Sequence, residues 1–139
     1  MTGLLLLCAV VALTGAGGLV HRSRSGRVRP ARPGQSDLGQ VLAHLGAAPG
    51  ARATLLQFSS AFCAPCRATR RILTDVSAMV DGVAHVEVDA EKHLDLVRQL
   101  RIVKTPTTLV LDGRAREVKR ATGQPRKADV LAALGQALS

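Results

Sequence analysis

Phe58-Ser59-Ser60-Ala61-Phe62-Cys63-Ala64-Pro65-Cys66-Arg67 is the stretch on which the fold turns. A nearly continuous apolar run, Ala53 to Phe58, leads into it and suits a strand buried on both faces. Beyond Cys63 the period changes. Ile72, Leu73, Val76, Met79 and Val80 fall on one helical face, Arg67, Arg70, Arg71 and Asp75 lie largely off it, and Gly82 stops the helix. The two cysteines therefore stand where a buried strand passes into an amphipathic helix. A cysteine at a helix start meets free backbone N–H groups and the positive end of the dipole, and both favour thiolate, the attacking species in disulfide exchange. Cys66, one turn along, is near enough to attack a mixed disulfide formed at Cys63. Pro65 stiffens the loop and removes an N–H that the first helical turn does not need. Cys63 is thus the candidate nucleophile and Cys66 the candidate resolving thiol of one redox-active pair.

Outward from this centre, helix and strand signals alternate. Ser36 offers an N-cap, and Leu38, Val41, Leu42 and Leu45 mark one helical face that ends at Gly46 and Pro49-Gly50. Val83 to Asp89 alternates as a strand, and Leu94, Val97 and Leu100 mark a short helix. Thr107 to Leu111 is a β-branched and aliphatic strand that turns at the hairpin signal Asp112-Gly113. Arg116 to Thr122 reads as a charged strand at a sheet edge. Gly123 breaks it, Pro125 can start a helix, and Val130, Leu131, Leu134 and Leu138 supply that helix's face. Alternation closed by a hairpin and a helix predicts an α/β fold in three layers, a mixed sheet with helices on both sides.

Composition narrows the function classes. The chain is 47% hydrophobic but has two Phe and no Trp or Tyr, so its core must be aliphatic. The net charge of +9 is uneven: Arg22, Arg24, Arg27, Arg29 and Arg32 precede residue 36 with no acid among them. Basic charge alone gives phosphate affinity, yet the aromatic interleaving of single-strand binders and any groove-reading motif are missing, so no nucleic-acid partner is expected. Zinc would need two ligands beyond the cysteines, and His85 and His93 are spaced wider than zinc-binding histidines usually are. No metal and no cofactor are expected.

Gly3 to Val20 is an uncharged run of 18 residues. As a helix it rises about 27 Å, against a hydrocarbon core of about 30 Å. No basic side chain precedes it, whereas five arginines and His21 follow, so the positive-inside rule predicts a single-pass plasma-membrane anchor with the folded domain in the cytoplasm. An outward-facing domain is the alternative. Cys8 lies inside this run and is read as a small apolar residue. The expected division is an anchor over 1–20, a basic Arg/Pro linker over 21–35 and a folded domain over 36–139. Val28 alone hints at a short edge strand within the linker.

The order of these motifs resembles the thioredoxin superfamily. The resemblance covers about Ser36 to Leu138 and rests on Phe58…Phe62-Cys63-Ala64-Pro65-Cys66-Arg67, on Val88-Asp89 ending the next strand, on Ile102-Val103-Lys104-Thr105-Pro106-Thr107, and on Gly123 before the last helix. It implies a thioredoxin-like fold and a cis Thr105–Pro106 bond beside the dithiol. It also implies a substrate groove formed by Phe62, Ala64, Pro65, Thr105 and Pro106. The implied activity is thiol–disulfide exchange on disulfide-containing proteins, with electrons from a thioredoxin-reductase-type enzyme that draws on NADPH, or from a membrane donor if the domain faces outward. Such outward-facing relatives serve cytochrome c maturation or oxidative folding.

The departures from the family are equally specific. Phe62 stands for the usual Trp and Ala64 for the usual Gly. Gln57 falls where many members carry a buried acid that assists the second cysteine, and glutamine cannot take up a proton. His85 and Glu87 are candidate substitutes, His85 aligning with a position often held by lysine, and Arg67 is a candidate for stabilising the thiolate. A missing acid also admits a binding module with little turnover.

Overall fold

A computed structural model describes residues 2–24, 26–30 and 38–139, the side chains of residues 2, 19 and 21–24 excepted. Ser36, expected to cap a helix, lies outside the described residues, as do Arg32 and Pro33. The elements are α1 (Thr2–Arg24), β1 (Val28–Pro30), α2 (Gly39–His44), β2 (Ala53–Ser59), α3 (Ala64–Met79), β3 (Val83–Asp89), α4 (Leu94–Gln99), β4 (Thr107–Asp112), β5 (Glu117–Thr122) and α5 (Lys127–Ala137). The five strands form one sheet in the order β1-β5-β4-β2-β3. Only β2 and β3 pair in parallel; the other pairs are antiparallel, so the sheet is mixed.

β2 is an inner strand between β4 and β3, and all seven of its residues are buried. The pleat sends alternate side chains to opposite faces, and each face has its own core. Leu56 and Phe58 join Leu38, Leu42, Leu100, Leu109 and Leu111 on the side of α2 and α4. Leu55 joins Leu73, Val76, Val110, Val130 and Leu134 on the side of α3 and α5. Both cores are aliphatic apart from Phe58. Gln57 shares the Leu55 face, beneath the first turn of α3, and this register brings it to the dithiol.

Two strand expectations need revision. β5 is not an edge strand, because Val28–Pro30 pairs with it, Val28 opposite Ala121 and Pro30 opposite Lys119. Three residues with one apolar side chain carry almost no periodic signal, and the sheet therefore takes in part of the stretch read as linker. The β4–β5 hairpin does form, but with a four-residue loop in place of a tight Asp-Gly turn. Asp112 stays in the strand, and its carboxylate accepts the N–H groups of Arg114 and Arg116 and the Arg116 guanidinium. Ala115 adopts a φ of 57° there, and its carbonyl accepts the Leu38 N–H at 2.9 Å.

The membrane anchor must be withdrawn. Among the described residues no helix is long and apolar enough to cross a membrane. The uncharged 18-residue run within α1 rises about 27 Å, roughly half a turn short of a hydrocarbon core of about 30 Å. Gly15, Gly17 and Gly18 dilute its end, and the added helical length comes from His21, Arg22 and Arg24. The single-pass placement, the orientation drawn from flanking charge and membrane contact through residues 3–20 lose their basis with it.

One polar pair is built into the interior. Arg120 makes a two-pronged bond to Glu117, at 2.7 and 2.8 Å, and donates to the Leu100 carbonyl at 2.8 Å. The Glu117 side chain is wholly buried and that of Arg120 nearly so. Removing one partner leaves the other as an uncompensated charge, which costs about 3–5 kcal/mol in such settings. Glu117→Ala is therefore expected to lower urea-unfolding stability by about that amount, whereas the double replacement Glu117→Leu with Arg120→Leu should lose clearly less.

Candidate active site

β2 ends at Ser59, and a short turn carries the chain to Cys63, the N-cap of α3. Cys63 has extended backbone angles, and its Sγ accepts the Cys66 N–H at 3.2 Å, so sulfur fills the place usually taken by a capping oxygen. The Cys63 carbonyl accepts the N–H groups of Cys66 at 3.1 Å and Arg67 at 3.3 Å. Pro65 occupies the first turn, where its missing N–H leaves nothing unpaired. Cys63 and Cys66 are joined in a disulfide. Their access to solvent differs sharply: Cys63 is half-buried, whereas Cys66 is 2% exposed against the sheet.

The chain's two phenylalanines have opposite fates. Phe58 is sealed in the core, while Phe62 stands fully in solvent at the lip of the dithiol, with a φ of 56°. A left-handed backbone at a bulky side chain costs roughly 1–2 kcal/mol. Thr105–Pro106 is cis. Its loop is held on three sides: Thr105 Oγ1 and Ser60 Oγ are 2.8 Å apart, the Pro106 carbonyl accepts the Gly123 N–H at 2.7 Å, and Thr107 Oγ1 donates to the Lys104 carbonyl at 2.7 Å. Pro65, Thr105 and Pro106 line a common groove.

Behind the disulfide, Gln57 is fully buried and fully bonded. Its amide nitrogen donates to the Cys66 carbonyl at 3.0 Å and to Ser59 Oγ at 2.8 Å. The carbonyl of Cys66 can only accept, which fixes the amide orientation and turns Gln57 Oε1 toward His85 Nε2 at 3.0 Å. His85 must then carry its proton on Nε2, leaving Nδ1 to accept the Thr74 hydroxyl at 3.3 Å. Burial pushes the His85 imidazole below its ordinary pKa; Glu87 pulls it up and Arg70 pushes it down further. Burial pushes Glu87 the other way, but bonds from Arg70 and Ser59 outweigh it and hold the carboxyl below its usual range. Arg70 grips Glu87 with two bonds, at 2.6 and 2.8 Å.

The structure thus brings Cys63, Cys66, Phe62, Ala64, Pro65, Thr105, Pro106 and Gln57 to one place. The bonds of His85 go to Gln57 and Thr74 and those of Glu87 to Arg70 and Ser59, so neither side chain is engaged with a sulfur among the described hydrogen bonds. Arg67 is exposed on the first turn of α3. Ser59, Ser60, Arg70 and Thr74 were not recognisable as parts of the site. Their partners lie two to 45 positions away, and nothing in a linear pattern joins them.

A solvent-accessible sulfur capping a helix, a buried sulfur one turn on and a cis-proline loop alongside make this a thiol–disulfide oxidoreductase. The thioredoxin family model matches residues 46–136, and the chain belongs to the thioredoxin family. No curated protein matches its sequence. Among solved structures it is similar to a chloroplastic thioredoxin z, 25% identical over 73% of this chain and 89% of that one, with a TM-score of 0.59. Thioredoxin f from spinach chloroplast is 23% identical, with 65% and 80% covered and a TM-score of 0.57. A thioredoxin from Nicotiana alata shares 19% identity over 80% of this chain and 99% of that one, at a TM-score of 0.59.

The direction of the His85 shift sets a pH dependence. With the folded pKa below the unfolded value, the unfolded chain takes up the proton first as pH falls. The stabilising contribution is full above the ordinary imidazole range near pH 6.5 and drains as pH drops through it toward the folded value. The melting temperature should therefore fall between about pH 7.5 and 5 more steeply for the wild type than for His85→Gln. Parallel slopes in differential scanning fluorimetry would exclude this role for His85.

Proposed function

We propose that Cys63 attacks disulfides in protein substrates and that Cys66 resolves the mixed disulfide that results. The difference in access between the two sulfurs supports this order, since only Cys63 presents itself to a docked substrate. In the reduced protein, the Cys66 N–H and the N-terminal end of α3 stabilise a Cys63 thiolate. Arg67 adds positive potential on the same turn. The thiolate forms a bond to one substrate sulfur as the substrate S–S bond breaks, and the other sulfur leaves as thiolate. Cys66 then bonds to Cys63 Sγ, the mixed disulfide breaks, and the second substrate sulfur departs. The Cys66 proton and one from solvent convert both to thiols. The protein ends oxidised, its substrate reduced.

Gln57 and His85 act in this scheme as positioning groups. Neither delivers a proton to sulfur: Gln57 has no titratable group, and its carbonyl oxygen takes up the His85 N–H. Gln57 instead holds the Cys66 carbonyl, and through it the first turn of α3, against the sheet. Phe62, Ala64, Pro65, Thr105 and Pro106 form the surface on which the substrate lies, with Phe62 offering an apolar contact beside the reacting sulfur. The dithiol is restored by a partner reductase, and the poise of the surroundings sets the net direction.

Cys63→Ser is expected to reduce insulin-disulfide reduction to the uncatalysed background. Cys66→Ser should accumulate a mixed disulfide at Cys63 that mass spectrometry identifies after acid quench. Turnover by the Cys63 variant would exclude it as nucleophile.

A further inference from the structure

The charge around the dithiol is not symmetric. On the β3 side, the hollow next to Ser60 and Ala61 contains Glu87 and Asp89 with Arg70 as the only cation. On the cis-proline side, the groove of about 680 Å³ shared by Pro65, Thr105 and Pro106 is walled by Arg27, Lys104 and Arg126. Its one carboxylate, Asp129, is gripped by Arg126 at 2.8 and 2.9 Å. A second hollow, of about 380 Å³, shares Arg27 and Lys104 with the groove and adds Arg29 and Arg120, with no carboxylate in its lining. Arg120 is balanced by Glu117, and Asp129 feels Arg27 at longer range besides Arg126, but among the described residues no carboxylate lies within ion-pair distance of Arg27 or Arg29.

Arg27 and Arg29 are held there by the fold and do not swing on a loose arm. Arg29 sits in β1 opposite Arg120. The residue before Arg27 is Gly26, buried at a φ of 81°, whose N–H reaches the Thr122 carbonyl at 2.6 Å. A Cβ at that position would overlap the Gln124 carbonyl, so only glycine lets the chain pass this close to the turn before α5. Two arginines drawn from outside the family-matched region, residues 46–136, are thereby fixed along the extension of the substrate groove.

We propose that this groove selects disulfides in acidic polypeptide segments, with the acidic flank lying over Arg27, Arg29 and Lys104 on the cis-proline side. The proposal rests on the exchange chemistry above and names its substrate class. A fixed cluster of one sign beside a reacting group raises the encounter rate of oppositely charged partners and disfavours like-charged ones. On the β3 side Arg70 is taken up by Glu87 and offers no comparable cation cluster, so the field also sets the orientation in which a substrate docks. The reaction is unchanged: one dithiol and one substrate disulfide give one protein disulfide and two substrate thiols.

The test uses the full-length reduced protein in single turnover with three peptides. These share one intramolecular disulfide and differ only in flanks rich in Asp and Glu, in Ser and Gln, or in Lys and Arg. At low ionic strength the second-order rate constants should fall in that order, by roughly tenfold per step. At about 0.5 M salt the spread should contract severalfold, as screening predicts. In the Arg27→Gln, Arg29→Gln double variant the ratio of the acidic to the neutral rate should drop severalfold. Equal rates for the three peptides in the wild type would overturn the proposal and leave thiol–disulfide exchange standing. Exchange with none of them would overturn the exchange reading itself. A single-stranded oligonucleotide that inhibits more strongly than polyglutamate at equal charge would reassign the cluster to nucleic acid.

Discussion

Gln57 has to satisfy an amide's hydrogen bonds in a place water does not reach, and the arrangement of the active site depends on how it does so. An unsatisfied buried polar group costs on the order of 1–3 kcal/mol. Gln57 avoids that cost by joining three elements at once: α3 through the Cys66 carbonyl, its own strand β2 through Ser59, and β3 through His85. The carbonyl oxygen of Cys66 dictates which way the amide faces, and the amide dictates which nitrogen of His85 holds the proton. A residue that looks like the loss of a catalytic acid is, in this fold, a strut. It exchanges a group that titrates for one that locates.

The layers were legible in the sequence because burial leaves a period. A six-residue run buried on both faces, an alternating β3 and an amphipathic α3 each write their environment into the spacing of apolar residues; both strands occur at or within a residue of where they were expected, and α3 ends at Met79, with Val80 already extended ahead of Gly82. The cysteine pair was equally visible, since its chemistry demands two thiols one turn apart. What could not be read is what the parallel register of β2 and β3 creates. That register sets Leu55 beside His85 and Gln57 beside Glu87, and the network beneath Cys66 exists only once those strands lie side by side. Arg70 gave the signature of a solvated helical face, yet its partner Glu87 is 17 positions on. β1 escaped for a different reason, because three residues are too few to show a period at all. The apolar N-terminal run misled because hydropathy reports the solvent a segment prefers more clearly than whether it is long enough to span it.

These features act together through α3. One end of the helix is capped by a sulfur, its buried face fills the core with Leu73 and Val76, and its exposed face sends Arg70 across to β3. The helix cannot tilt without disturbing the Gln57 bond or the Arg70–Glu87 pair, so the two sulfurs keep a fixed relation to the cis-proline loop. Ser60, bonded to Thr105 across 45 positions of chain, holds the other wall of the groove in the same frame. The reacting centre is thus fixed from behind by amide and imidazole and from the side by two hydroxyls, with its open face left to substrate.

β1 has one more consequence, for how the molecule behaves in a crowded solution. A sheet must end somewhere, and an unpaired outer strand is a template on which another chain can add. Here one margin is a strand of three residues that carries Arg29 and closes on Pro30, which has no N–H to offer. The same short strand that brings positive charge to the groove leaves an incoming strand little backbone to pair with, so on this side the sheet resists growing into an aggregate.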